Sequence, residues 1–534
     1  MGDPMVALSG FYWMAMRRRV RGWSQLMVAA SRAPLNYARW IQRGEVRAFA
    51  EFRRLNGRRD TPFVIVLLLG ANSAAEPVDR TVTSIRKALG SPLIYSLGAH
   101  DSGLQPLPSS DTLIGALSAV AQLHSRAWLL PISAGDEVSP ELCDILGRSI
   151  GPDENGLIYW DEDQVGAEGR CAPWVKPDWD PLLFGRLGGL VGASVVALRI
   201  IERVANAFAD APITKASVER LLLDLAATGT PEHIPLILTH RGGPSPTRER
   251  LSPGPQPPGS WPTVSMIIPT KDKPELLSAC LNGVERTDYP GQVQIIVVDN
   301  ASRDPTALEL LHRTSKNSNV IVLADDGPFN FSRLINLGAT VAKGELLCLM
   351  NNDVEPIDSD WLATLVAYAA HDGVGAVGAQ LLYPSGRIQH AGVAIGLGGA
   401  AGHVQKGVDP AECGFWTWHA ATREVSAVTA AVLLVKRRAF VDVGGFDEEF
   451  AVAFNDVDFC LRLKHRGFRN LYVAEARLLH RESESRGQDR SPAQARRFAG
   501  EVARLQERWG TETYNDPHFS CLFSRLVERC VLAP

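Results

Sequence analysis

An α/β protein with mostly parallel central sheets, built twice along one chain, is the fold this sequence predicts. Three observations carry that expectation. After residue 262, short apolar runs alternate with amphipathic stretches at the spacing of βαβ units. A segment dense in proline and glycine, residues 241–262 (RGGPSPTRERLSPGPQPPGSWP), separates two stretches that are each long enough for a domain. The first stretch also repeats the plan of the second in outline.

The second stretch is the clearer one. Residues 264–268 (VSMII) read as a buried strand, and residues 274–284, opened by Pro274, have helical spacing. Residues 294–299 (QIIVVD) form a second strand, 306–314 a helix, 319–323 (NVIVL) a third strand, 332–342 a helix and 345–350 a fourth strand. Beyond residue 353 the pattern is mixed. A helix is expected over 361–370, a long apolar strand over 427–435 and a GGFDEEF loop over 444–450. A helix over 456–466, capped by Gly467, a short strand over 470–473 and an amphipathic helix over 491–509 complete it. In the first stretch, FVIVLLL (63–69) matches the opening strand and AWLLPISAGDEVSP (127–140) the strand that ends in acids. LIYWDEDQVGAEGR (157–170) and WVKPDWDPLLF (174–184) follow, and HIPLILTHR (233–241) mirrors LYVAEARLLHR (471–481).

Size and composition agree with this plan. A chain of 534 residues needs more than one core, and 45% hydrophobic with 21% charged residues is ordinary for globular protein. A net charge of -4 argues against a nucleic-acid partner. Eight cysteines are scattered without a CxxC pair, so neither a zinc site nor a disulfide framework is expected, and a cytoplasmic setting fits. Residues 1–60 stand apart, with twelve arginines against four acids. The apolar run over 5–16 is shorter than the roughly 20 residues a membrane span needs, and no small-residue cleavage site follows it. It reads either as a helix touching an anionic membrane surface or as a helical extension packed on the first domain.

The chemistry lies at strand ends. The apolar run 346–350 stops at Asn351, Asn352 and Asp353, which delivers Asp353 to the edge where open α/β sheets bind ligands. Thr270 and Asp299 end neighbouring strands and should face the same crevice. Asp456 opens a helix, whose dipole favours the ionised carboxylate and so a base near neutral pH. His480 can complete a metal shell as a neutral imidazole. Turn-capping is the plainer reading for Asp299 and Asp353, and helix-start capping for Asp456 and Asp458; capping is the stronger reading for Asp458. His390 and His403 read as structural. Trp416, Trp418 and His419 read either as an acceptor-sugar platform or as packing.

At these residues the chain closely resembles the family 2 glycosyltransferases of GT-A fold, in particular the O-antigen or rhamnan-type polysaccharide branch. The resemblance rests on SMIIPTKDK, IIVVDNAS, FNFSRLINLGA, LCLMNNDVEP, LLYPSGRIQHAGV, GGFDEEF, AFNDVDFCLRL and HRESESRG, all between residues 264 and 487. It implies that Thr270 and Asp272 sit beside the nucleotide and that Asp299 contacts its base. It implies that Asn330, Ser332 and Asn336 border the donor pocket. Asn351 and Asp353 fall at the outer positions of the family's metal-binding Asp-x-Asp signature, and the amide at 351 removes one negative charge. Asp456 matches the family's catalytic base and His480 a histidine found at the metal in some members. Asn455 stands where many members have glutamate, which should make Asp456 easier to ionise.

The resemblance implies an inverting transfer from a nucleotide-diphospho-sugar to a glycan or lipid-linked glycan hydroxyl of a growing bacterial surface polysaccharide, assisted by Mg or Mn. It implies a cytoplasmic protein, peripheral on the inner face of the plasma membrane through its basic N-terminus. A non-catalytic glycan- or nucleotide-sugar-binding scaffold is the alternative. Nucleotidyl transfer is disfavoured, because residues 269–275 (PTKDKPE) hold no glycine. The expected organisation is a basic extension over 1–60, a degenerate GT-A-like copy over 61–240, a linker over 241–262, the catalytic domain over 263–487 and a helical extension over 488–534. The first copy is expected to lack chemistry. Ser133, Ala134 and Gly135 stand where a metal aspartate is sought, leaving only Asp136, and the helix SVERLLLDLA shows no paired acids.

Overall fold

In the computed structural model of the chain, residues 4–15, 19–31, 35–59, 61–70, 75–96, 104–108, 110–151, 156–243, 255–411, 417–481 and 491–533 are described. The chain divides into two compact units. One holds residues 1–252 with 519–524 and 531–534, the other 253–518 with 525–530.

The second unit is built on a ten-stranded sheet. Its order is Val320–Ala324, Val293–Asp299, Val264–Thr270, Leu346–Met350, Val432–Lys436, Val374–Leu382, Arg469–His480, Val354–Pro356. The first four strands run parallel. Val432–Lys436 is antiparallel to both neighbours, and Val354–Pro356 is antiparallel to Arg469–His480. The sheet is therefore parallel in its first half and mixed in its second. Its strands are apolar on both faces because helices cover them: Phe331–Val341 packs with Ile267, Ile296 and Val298 in one continuous core.

The local signals act where they stand. Asp304 caps Pro305–Thr314 by accepting from Thr306 and Ala307 N–H, and Ser491 forms a capping box with Gln494 at the start of Pro492–Trp509. Gly467, with φ +85, closes Asn455–His465. Two expectations needed correction. The strand expected over 427–435 begins only at Val432, because Ala427 makes an isolated bridge to Val393 and Ala430 gives its N–H to Asp456 at the start of a helix. The strand expected over 470–473 runs on to His480; Glu475 and Arg477 break its apolar pattern, yet pairing with Val374–Leu382 continues across a register shift.

The first unit repeats this topology position by position. Its order is Gln105–Pro106, Leu93–Ser96, Val64–Leu69, Trp128–Ser133, Ser194–Ala197, Leu157–Gly166, Glu232–Arg241, Glu137–Val138. In both sheets the opening strand lies third and the late long strand seventh. Alternate residues of Val64–Leu69 enter two different cores: Val64, Val66 and Leu68 on one face, Ile65, Leu67 and Leu69 on the other. The N-terminal residues dock on this unit. Phe49 joins the core, Tyr37 donates to Asp163 at 2.6 Å, and Glu45 takes both arms of Arg170 at 2.5 and 3.0 Å. The preceding helices Pro4–Ala15 and Arg19–Ser31 pack on one another and leave Leu8, Phe11, Tyr12 and Trp23 exposed.

Helix and sheet approach closely at Gly338, where a Cβ would come 2.5 Å from Ile267 Cγ2. Gly338→Val is expected to lower unfolding free energy by about 1–3 kcal/mol through overpacking, measured by urea denaturation.

Candidate active site

The site is assembled from the C-terminal ends of the parallel strands in the second unit. Thr270 and Asp299 are register partners at the ends of adjacent strands. Asp299 accepts from Ser302 N–H at 3.2 Å and from the Ser302 hydroxyl, which closes a tight turn around the carboxylate. Asp272 Oδ1 accepts from the N–H groups of Arg303 and Asp304 at 2.7 and 2.9 Å, and these bonds hold its pKa below the usual carboxylate range. Asp272 N–H donates to Ser302 Oγ at 2.7 Å, so the two strand-end loops are stitched together. Asp272, Lys273 and Ala301 all adopt left-handed backbone, with φ of +51, +55 and +57. Such non-glycine conformations cost about 1–3 kcal/mol each and persist only where surrounding bonds impose them.

The Asn351–Asn352–Asp353 turn adjoins this edge. Asn352 Nδ2 donates to Thr270 Oγ1 at 3.0 Å, and Asn351 N–H to Ala431 O at 3.0 Å. The next residue back, Ala430, donates its N–H to Asp456 Oδ2 at 3.0 Å. A bonded path thus runs from Asp299 through Thr270 and the 351–353 turn to Asp456. It brings the three acids, far apart in sequence, to one edge of one sheet.

Asp353 directly precedes the strand Val354–Pro356, which pairs with the strand ending in His480, and Asp353 Oδ1 is 3.2 Å from His480 Nε2. Both residues are buried. Gln389 Oε1 lies 3.1 Å from His480 Nδ1. An amide oxygen only accepts, so Nδ1 is the donor in this contact and Nε2 is the ring atom turned toward the carboxylate. A buried carboxylate oxygen and a buried imidazole nitrogen this close together are a donor set that would hold a divalent cation. Among the described residues no third His, Cys, Asp or Glu joins them. A cation here would take two protein ligands and draw the rest from phosphate oxygens and water, as magnesium commonly does.

Asp456 stands in the first turn of Asn455–His465. Its carboxylate accepts from Ala430 N–H, from Thr429 and from Val457 N–H at 2.8 Å. Desolvation by burial is the largest influence on it and pushes its pKa above the usual aspartate value. The helix dipole and the absence of a neighbouring glutamate act in the opposite direction, and the loss of hydration outweighs them. Phe454, just before it, has φ +61, and Asn455 anchors the turn by donating to Phe450 O and Val452 O. Asp458 is structural: it accepts from Arg462, Arg508 and Trp509 at 2.8 to 3.0 Å.

Asn330, Ser332 and Asn336 lie at and along the helix Phe331–Val341 and bond the 446–450 loop. Asn330 Nδ2 donates to Glu448 O, Ser332 Oγ to Phe450 O and Asn336 Nδ2 to Phe446 O, at 2.8, 2.6 and 2.9 Å. His390 and His403 face each other, Nδ1 to Nδ1 at 2.9 Å, and burial holds His390 well below the ordinary histidine pKa. Trp418 and His419 are buried, and His419 O accepts from Tyr472 and Gln380. Trp416 and residues 482–487 of HRESESRG lie outside the described residues.

Four contributors escaped the sequence reading. Gln389 sits inside a quoted motif, but its role depends on a strand pairing. Thr429 and Ala430 were read as strand. Glu501, on the helix Pro492–Trp509, accepts from Val452 and Ala453 N–H at 2.8 and 3.3 Å and so holds the loop before Asp456.

Residues 265–408 match the family described as Glycosyl transferase family 2. The second unit therefore carries a family 2 glycosyltransferase domain over those residues. The chain's likeness extends to proteins of polysaccharide assembly. It is 34% identical over 412 residues to the O-antigen biosynthesis protein RfbC of Myxococcus xanthus, covering 68% of this chain and 31% of that protein. It is 27% identical over 230 residues to N-acetylglucosaminyl-diphospho-decaprenol L-rhamnosyltransferase of Mycobacterium tuberculosis, covering 37% of this chain and 69% of that enzyme. An uncharacterized protein of Sinorhizobium fredii, y4gI, is 35% identical over 455 residues, which cover 76% of this chain. The match spans 49% of the length of that relative.

The two carboxyls are set in opposite directions. In a carbon-13 titration of labelled aspartates, Asp456 should titrate above the ordinary value of about 3.9 and Asp272 below it. Assignment by Asp456→Asn and Asp272→Asn checks both, and coincident midpoints would contradict the environments described.

Proposed function

We propose that the second unit transfers a sugar from a nucleotide-diphospho-sugar to a hydroxyl of a growing bacterial surface polysaccharide, with inversion at the anomeric carbon. The observation that carries this reading is the Asp353–His480 pair, 3.2 Å apart, on the sheet edge that also receives Asp299 and Asp456. Thr270, Asp272 and Asp299 take the nucleotide end of the donor, with Asn351 beside the diphosphate. Asn330, Ser332 and Asn336 shape the pocket wall by fixing the 446–450 loop. A divalent cation, Mg or Mn, held by Asp353 and His480, supplies positive charge to the diphosphate leaving group.

Asp456 takes the proton from the acceptor hydroxyl while that oxygen bonds to the anomeric carbon on the face opposite the departing diphosphate. One displacement inverts the centre and needs no covalent sugar-enzyme species. The raised pKa of Asp456 suits a general base better than an ordinary aspartate would. Likeness to an O-antigen biosynthesis protein and to a rhamnosyltransferase named for a lipid-diphosphate substrate supports a lipid-linked glycan as acceptor. The copy over residues 61–240, within the first unit, serves as a non-catalytic one.

The setting is the cytoplasmic face of the membrane. Among the described residues no helix is long and apolar enough to cross a membrane. Leu8, Phe11, Tyr12 and Trp23 are each more than half exposed in an arginine-rich segment, a composition suited to the headgroup layer.

Asp456→Asn is expected to reduce turnover about 100- to 10,000-fold while leaving donor affinity in Mn2+ unchanged by calorimetry; undiminished turnover removes the base. In flotation with phosphatidylglycerol vesicles, the Phe11→Ser, Trp23→Ser double variant should partition at least about tenfold less than wild type, the cost of losing two buried apolar side chains. Equal flotation removes the membrane contact.

A further inference from the structure

We propose that the first unit carries its own permanent cation: the Arg241 guanidinium occupies the place of the second unit's metal and closes that site to divalent ions and diphosphate. The comparison rests on the metal reading of the second unit given above.

Strand register sets the equivalences. Glu137 pairs with His240 in the first sheet as Val354 pairs with His480 in the second. The residues just before, Asp136 and Asp353, therefore hold the same position. Trp128 pairs with Ala197 as Leu346 pairs with Lys436, and Trp128 and Leu346 both pair with the first residue of their opening strands. Counting back equally from Ala197 and Lys436 reaches Val191 and Ala430. Val191 N–H donates to Glu219 Oε2 at 2.9 Å, as Ala430 N–H donates to Asp456 Oδ2 at 3.0 Å. Glu219 lies near the start of Lys215–Ala227 as Asp456 lies near the start of Asn455–His465. The helix that showed no paired acids thus supplies a single acid at the position of the base. Asp136, Glu219 and His240 stand where Asp353, Asp456 and His480 do.

The acids persist, but their partners differ. His240 Nδ1 contacts Asp163 at 2.6 Å, not the aspartate at 136. Arg241, the next residue, turns inward and grips Glu162 with both arms, Nε at 2.5 Å and Nη2 at 2.6 Å. The same Nη2 donates to Val191 O at 2.9 Å, and Nη1 lies 3.5 Å from Asp136 Oδ2. Lys176 adds a second cation, 3.1 Å from Glu162. Asp136, Glu162, Lys176, Glu219 and Arg241 are all buried. The counterpart of Arg241 is Arg481, which pairs with Glu355 and keeps 38% of its side chain exposed. The space is filled as well as neutralised: a Cβ on Gly192 would lie 3.4 Å from Asp136 Oδ2 and 3.6 Å from Arg241 Nη1. A guanidinium neither exchanges nor loses its proton, so the closure is permanent.

The test uses the full chain with Asp353→Ala, which silences the second unit's cation ligand, and reads Mn2+ binding by electron paramagnetic resonance. That parent should bind no Mn2+ in the first unit. Adding Arg241→Ala should create one Mn2+ site and make the melting temperature rise with Mn2+. Arg241→Lys should not create it, and Arg241→Ala with Asp136→Asn should lose it. A folded Arg241→Ala that binds no Mn2+, or a parent that already binds Mn2+ through Asp136, overturns the proposal. If Arg241→Ala does not fold alone, Mn2+ during refolding should recover it. Failure to recover, while Arg241→Ala with Glu162→Gln folds unaided, also overturns it. Comparing wild type with Asp353→Ala tests the second unit's metal separately, so the two failures are distinguishable.

Discussion

A carboxylate at the end of a buried strand needs a positive partner, and both halves of this chain are organised by that need. Removing such a group from water costs several kcal/mol unless a charge or hydrogen-bond donors replace the lost hydration. In the second unit the need is met by an imidazole. Asp353 faces a histidine whose outward nitrogen is aimed at it, while Gln389 fixes the ring from behind. In the first unit it is met by the chain itself. Asp161 is bonded to His233 and to Lys176 N–H, Glu162 to Arg241 and Lys176, and Asp163 to His240, Arg170 and Tyr37. Every acid of the YWDED run is thereby tied inside its own domain.

The rest of the second unit follows from holding loops still at the strand ends. Left-handed backbone at Asp272, Lys273, Ala301 and Phe454 is concentrated there, next to Thr270, Asp299 and Asp456. Side chains that a family resemblance assigns to a donor pocket, Asn330, Ser332 and Asn336, act by bonding to the 446–450 loop. Rigidity is what a group transfer between two large substrates requires, since an error of an ångström in approach is costly.

Much of this was legible in the residues. Strands buried on both faces announce themselves as continuous apolar runs, and helix starts are written in Pro274, Asp304 and Ser491. The run ending in Asp353 and the late His480 could be named because strand ends share an edge. What could not be read depends on pairing between distant strands. Gln389 has a role only because it comes beside His480, ninety-one residues later. Glu219 resembles any helix glutamate until register puts it level with Asp456. The segment 427–431 looks like strand because Ala427, Val428 and Ala430 enter the apolar core all the same, while the Ala430 N–H bonds a carboxylate. The pKa of Asp456 is not legible in the sequence, because charge and dipole can be counted along a chain, whereas desolvation cannot.

The helix Pro492–Trp509 carries a consequence for synthesis. Through Glu501, Arg504 and Arg508 it grips the loop over 447–453, and Trp509 reaches Asp458. A chain emerging from the ribosome presents residues 264–350 long before this clamp exists. The acid-bearing turn therefore settles only once this later helix has been made, and fragments lacking the helix should hold that turn loosely.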